Sequence, residues 1–354
     1  MSALLLFSDL GSRVQPAAAT TAAVAATPPA ERHVKIAVLQ HASQLVLDQG
    51  RAGMFGGLAE RGWEKDRNYT LKYYNAEGDM ATAQTIAKEM AGGGYDLLIT
   101  ISTPSMQAVA NANRAGKTPH VFGLVTDPYG AGVGINRDNH LDHPAHLAGY
   151  GTMQPVALAF KTAREMNPAL STVGVVWNAA ESNSEAQVKL ARAVCAELGI
   201  TLMESTIDNS SAVAEAAAAL VARGVDAIWM GGDVTVMSAV DSVVAAGRKG
   251  RIPTFTVIPP NVKRGTLFDL GANYDEVGRL TGLLAGDILN GKNPATHPID
   301  NLMPEVLALN LQVLSGLKAK WTIPAALRQR AQITIDETGV EHTKAAPAAA
   351  AKPG

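Results

Sequence analysis

The chain has 354 residues, a formal charge of −2 and 47% apolar residues, enough for two globular domains with full cores. That charge supplies no basic field of the kind a phosphate backbone needs, so nucleic acid is not expected as a partner. The single cysteine, Cys195, makes neither an intrachain disulfide nor a thiolate cluster and reads as a small buried hydrophobe.

Residues 1–32 stand apart from the rest of the chain. The run from Ala3 to Phe7 is apolar but too short to span a bilayer, and no basic residue precedes it. Gln15 to Ala30 is built of Ala, Thr, Val and Pro, the composition of a tether. The expectation is a partial export or anchor segment followed by a linker, which places the folded part in the periplasm or another extracytoplasmic space, with tethering through that segment as a further option. At the other end, residues 336–354 are expected to be a low-complexity tail.

From Val34 onward, strands and helices alternate in two similar blocks. The first reads as a strand over 34–39, a helix over 45–61, a strand over 69–75, a helix over 80–92 and a strand over 96–101. The second repeats that order with a strand over 172–177, a helix over 184–198, a strand over 201–205, a helix over 211–223 and a strand over 226–230. Strands joined by helices of this length require right-handed crossovers and parallel pairing, which predicts an α/β chain of two doubly wound parallel-sheet lobes with a cleft between them.

Ligands of open parallel sheets bind beyond the carboxyl ends of the strands, and here those ends are polar. Gln40 follows the first strand, Ser102, Thr103 and Ser105 the third, and Thr126 and Asp127 a fourth. In the second block Asn178, Glu181, Asn183 and Ser184 follow the strand ending at Trp177, and Asp233 follows the one ending at Met230. Thr103 stands as N-cap before Pro104, so the unpaired amides of that helix start suit a carboxylate. Thr103, Asp127 and Ser184 serve equally well as helix caps alone. Trp177, Trp229 and Phe122 are candidates for a stacking wall or for ordinary core.

Signals for catalysis are weak. Gly92 to Gly94 precede a strand and so form a turn; no lysine-bearing phosphate loop, GxSxG elbow or HExxH is present. His140, His143 and His146, with Asp138 and Asp142, have a spacing that suits a surface metal, but Pro144 and the polar setting favour a solvated loop. No enzyme, cofactor or metal is expected.

Several segments together resemble the substrate-binding proteins of ABC importers of the tryptophan/tyrosine-type group, which have the type I periplasmic-binding-protein fold. They are AVLQ at Ala37, GLAERGW from Gly57, YNAEGDMATAQTIA from Tyr74, STPSMQAVANA from Ser102, VTDPYGAG from Val125, VGVVWNAAESNS from Val173 and KRGTLFDLGANYDEVGRLTG from Lys263. The resemblance implies capture of one small solute between two lobes, an amino acid with an aromatic one among the candidates, and delivery to an ABC permease subunit in the membrane. It implies that Ser102, Thr103 and Ser105 take the solute carboxylate, that Asn183 and Ser184 form the second-lobe pair, and that Asp233 meets the amine. A monomer is the default. The chain departs from the family at Gly231 to Val234, at Pro259 and Pro260, and in the loop from His140 to Gly149. The type I pattern implies a first lobe of 33–152 plus 258–298 and a second of 153–257 plus 299–335, with Thr152 and Gln154 in the hinge. The alternative reading is the ligand-sensing ectodomain of a membrane receptor with the same fold.

Overall fold

The computed structural model describes residues 32–344, so the expected leader and the last ten residues lie outside the described part. Within it, the first sheet is built from β1 (Val34–Gln40), β2 (Tyr69–Asn75), β3 (Leu97–Ile101), β4 (His120–Val125) and β5 (Leu147–Gly151), all parallel, in the order β2-β1-β3-β4-β5. β3 is apolar or β-branched throughout and buried at all five positions, as a central parallel strand covered on both faces must be. The covering helices are α1 (Leu45–Glu60), α2 (Met80–Gly92) and α3 (Thr103–Ala112). Asp79 starts α2 by accepting the Thr82 amide at 2.6 Å.

The chain leaves this sheet after Gly151 and enters α4 (Val156–Met166) of the second lobe. There β6 (Thr172–Trp177), β7 (Thr201–Thr206), β8 (Ala227–Met230) and β9 (Thr254–Thr256) alternate with α5 (Ser182–Leu198), α6 (Val213–Ala222), the short α7 (Val234–Ser238) and α8 (Val240–Gly250). The sheet is extended by β10 (Phe268–Ala272), β11 (Glu305–Asn310), β12 (Ile333–Ile335) and β13 (Glu341–Thr343) to the order β13-β12-β11-β10-β9-β8-β6-β7. β10 and β11 are antiparallel, as are β12 and β13.

Two boundaries differ from those expected. β10 pairs with β9 and β11, so residues 258–272 stay with the second lobe and the chain crosses back at Asn273, not at Ile258. The tail begins later than 336, because Glu341–Thr343 pairs along β12 as an edge strand.

What returns to the first lobe is α9 (Tyr274–Leu289), begun by Asn273, whose side chain accepts the Glu276 amide. It lies against α1 at backbone distance. A Cβ on Gly53 would sit 2.0 Å from the Asp275 carbonyl oxygen, one on Gly278 1.9 Å from that of Gly50, and one on Gly282 2.0 Å from that of Met54. Glycines three or four apart on both helices are what permit this approach. α9 is therefore the clasp by which the far half of the chain holds the first lobe. Gly282→Val is expected to cost about 1–3 kcal/mol, the usual range for overpacking, as a lowered urea midpoint, whereas Gly56→Ala, in the interior of α1 and meeting nothing within 4 Å, should raise the midpoint by the roughly 0.5–1 kcal/mol that a helical alanine gains over glycine.

Candidate functional site

The carboxyl ends of both sheets face one another, and the lobes meet there. Gln44, at the start of α1, donates to the Val234 carbonyl and, at 2.9 Å, to Ser238 Oγ across the cleft. Deeper in, Gln154 at the hinge donates to Tyr274 Oη of α9 at 2.7 Å and accepts from Gln187 Nε2 of α5. Gln187 Oε1 in turn accepts the Gly232 amide at 2.6 Å. This buried relay runs from the first lobe through the hinge to the loop after β8. Between these contacts lies a cavity of about 30 Å³.

Its first-lobe wall is strained. Ser102 leaves β3 at φ 96°, ψ 159°, a region that is essentially glycine's. Leu124, at the end of the neighbouring strand, has φ 56° where the β4/β5 register slips. Both line the cavity, with Thr103 and Thr126. The strain is fixed by its surroundings: the Ser102 amide donates to the Gly123 carbonyl at 3.2 Å, and the Leu124 side chain lies over Gly50, where any Cβ would be 2.4 Å from it. The outcome is that the start of α3 turns the Ser102 and Ser105 hydroxyls towards each other, 3.4 Å apart, beneath unpaired amides of the first helical turn. This corner suits an anion.

The second-lobe wall carries the opposite character. Asp233 and Glu181 are both buried and both cap α7. Asp233 accepts from the Val236 amide (2.8 Å), the Asn178 amide (2.6 Å) and Ser184 Oγ (2.7 Å). Glu181 accepts from the amides of Val234 (2.8 Å) and Thr235 (2.9 Å), from Thr235 Oγ1 (2.6 Å) and from Asn183 Nδ2 (3.0 Å). Seven neutral donors serve the pair, and among the described residues no lysine or arginine forms an ion pair with either carboxylate. Burial first, and the neighbouring Glu181 charge second, raise the Asp233 carboxyl from 3.8 to about 7. Asn183 spends both amide protons on Glu181 and on the Gly232 carbonyl (2.9 Å), so its Oδ1, enclosed and without a partner, is the acceptor left over in this cavity-lining residue. Leu47, Met237, Ile258 and Tyr274 complete an apolar surround.

Known proteins match this chain in sequence and fold. The sequence model of the family described as ABC transporter substrate binding protein matches residues 35–335. The chain belongs to the ABC transporter substrate-binding protein family. A tyrosine-binding protein of Clostridioides difficile is 28% identical over 280 residues, 78% of this chain and 79% of that one. A conserved domain protein from Vibrio cholerae superposes with a TM-score of 0.80 at 31% identity, covering 86% of this chain and all of that one. The ABC domain from Streptococcus pneumonia in complex with L-Trp superposes at 0.79 with 26% identity, again over 86% of this chain and all of that one. The fold is thus that of the periplasmic binding proteins, and the family consists of solute-binding proteins, which work with ABC permeases.

Of the residues expected at the site of this substrate-binding protein, Ser102, Thr103, Thr126 and Asn183 line the inner cavity, and Asn178 lines the outer cleft. Others serve the scaffold. Gln40 binds Ala42, Asp48 and Arg51 beneath the β1–α1 loop; Asp127 accepts from the Gly130 amide and from Arg137 in an outward turn; Ser184 is spent on Asp233. Ser105 is fully buried behind Ser102. Trp177 is buried in the second-lobe core, its ring 5.5 Å from the Arg192 guanidinium, and Trp229 and Phe122 are core as well. In the expected α3 cap, Ser102 takes the N-cap position and Thr103 Oγ1 instead accepts the Thr126 amide. The three loop histidines are tied separately: His140 to Asp300 at 2.6 Å, His143 to the Pro144 and His297 carbonyls, and His146 against Gly116.

Two outcomes test this geometry. Ser102→Gly should raise the unfolding free energy by about 1 kcal/mol, strain relief of about 1–3 kcal/mol offset by glycine's extra unfolded-chain entropy, whereas Ser102→Ala keeps the strain and should show no gain in chemical denaturation. Because Asp233 binds its proton more tightly folded than unfolded, its contribution to stability declines as pH rises from about 4 to about 7. Asp269, raised by burial to about 8, adds a slope of the same sign, so Asp233→Asn should remove part of the loss of melting temperature over that window and leave the remainder.

Proposed function

We propose that this substrate-binding protein captures an α-amino acid between its lobes and delivers it to an ABC permease at the outer face of the cytoplasmic membrane. The observation that carries the reading is the pairing of opposite needs across one cleft. An anion-seeking corner at Ser102 and Thr103 shares its cavity with Asn183, and behind Asn183 stand two buried carboxylates, Glu181, which it bonds, and Asp233, that have seven hydrogen-bond donors and no counter-cation among the described residues. A zwitterion answers both walls at once: its carboxylate at the start of α3, its ammonium on Asn183 Oδ1 within the field of the carboxylate pair. The ammonium is met by Asn183 in this pose, with Asp233 acting through its charge and not through a free oxygen.

The side chain of the solute lies against Leu47, Leu124, Met237 and Ile258. The tyrosine-binding relative and the tryptophan-bound neighbour support an aromatic side chain there. Pockets for small molecules measure roughly 300–1,000 Å³, far more than the 30 Å³ of the inner cavity, so loading it requires the lobes to part about the segments at Thr152, Asn273 and Asn301. Parting breaks the Gln44 contacts with Val234 and Ser238 and leaves each sheet intact.

A thermal-shift screen of the twenty amino acids, small sugars and nucleosides tests the reading, since a ligand that binds only the folded protein raises its melting temperature. Tyrosine, tryptophan or phenylalanine is expected to shift it; a shift with sugars or nucleosides alone would discard the amino-acid assignment. For the amino acid that binds, Asn183→Ala is expected to weaken affinity about tenfold, the size of a charge-assisted hydrogen bond. Affinity should also rise from pH 5 to pH 8 as Asp233 ionises, and this rise should flatten in Asp233→Asn.

A further inference from the structure

Outside the inner cavity, and sharing Val234 with it, the cleft opens into a chamber of about 640 Å³ walled by both lobes. Four carboxylates line it: Glu77 and Asp79 from the first lobe, Glu181 and Asp208 from the second. Lysine and arginine are absent from that lining, and none of the four carboxylates forms an ion pair among the described residues. Glu77 accepts only a 3.4 Å bond from Ser43 Oγ, and Asp79 caps α2 through the Thr82 amide; Asp208 has no hydrogen-bond partner among the described residues. Carboxylates drawn from both lobes give this part of the cleft one sign of charge, which favours a cation between them.

A second observation points to the same kind of guest. His41, also lining the chamber, is only 4% exposed, and its imidazole makes no hydrogen bond among the described residues; Nδ1 is enclosed and unpartnered. Burial lowers its pKa, so the ring is neutral at pH 7 and can present a lone pair. An unpaired imidazole beside uncompensated carboxylates matches a donor that is also positive.

We propose that this chamber is a charge filter on the solute: Glu77, Asp79 and Asp208, with His41 as acceptor, take a positively charged group ahead of a neutral one and turn away an anion. The amino-acid scaffold of the probe solutes rests on the reading of the inner cavity; the sign of the chamber does not. A cleft lined by one sign of charge steers charged solutes and changes their association rates by about tenfold or more.

The test uses three ring-substituted amino acids of near-equal size: 4-aminomethyl-L-phenylalanine (positive), L-tyrosine (neutral) and 4-carboxy-L-phenylalanine (negative). Their association is followed by stopped-flow tryptophan fluorescence in the unaltered protein and in the exposed-site double variant Glu77→Gln/Asp208→Asn. The rates are expected to fall in that order by about tenfold or more between the extremes, and the spread should shrink in the double variant and in high salt. Equal rates, or a faster anion, overturn the filter while leaving the amino-acid reading intact. If none of the three binds, the amino-acid reading falls, and the filter is read without a ligand: NMR relaxation of the Gly78 and Ser210 amides by a cationic nitroxide, aminomethyl-PROXYL, should exceed that by anionic carboxy-PROXYL. Equal relaxation by the two nitroxides, or stronger relaxation by the anion, overturns it.

Discussion

The cleft depends on two neighbouring buried carboxylates held without a cation. Glu181 and Asp233 draw seven donors from β6, α5 and α7 and their flanks, and in doing so they fix the loop after β8 and the start of a five-residue helix too short to persist alone. Neutral hydrogen bonds lessen the penalty of burying such charges but do not remove it, which is why the Asp233 carboxyl is pushed up towards neutrality. The opposite wall has the same logic in backbone terms. Ser102 is held in a conformation that glycine would adopt freely, and the strain aligns a serine hydroxyl and helix amides on the point facing Asn183.

These walls belong to different lobes, and the fold holds them in register. Close glycine packing of α1 on α9 makes the first lobe rigid although its last helix arrives from beyond the second sheet. The relay Tyr274–Gln154–Gln187–Gly232 then ties that helix, through the hinge, to the loop that carries Asp233. Hinge and pocket are thereby one hydrogen-bonded unit: the residues of the hinge are bonded to those that shape the pocket.

Much of this is legible in the sequence. Alternating apolar runs locate β1 to β3 and β6 to β8 within a residue or two, because parallel strands buried on both faces leave no other pattern. The expected place of β10 in the first lobe is wrong because an apolar run such as FDLGA does not say which sheet it joins; the glycines at 278 and 282 are the readable sign that the following helix, not the strand, makes the return. At the site, position beyond a strand end identifies Ser102, Thr103, Thr126 and Asn183. It does not separate them from Gln40, Asp127 and Ser184, since the same side chains cap helices and bind solutes with the same atoms. Gln44, Gln187 and Tyr274 matter through partners far away in the chain, a property no local pattern carries.

The most direct test of the account is a crystal structure of the protein with bound L-tyrosine. It should show the ammonium on Asn183 Oδ1 beside the Asp233–Glu181 pair and the carboxylate at Ser102 and the first turn of α3. A tyrosine bound the other way round, or bound outside the cleft, would contradict the claim that the two walls are built for the two ends of a zwitterion.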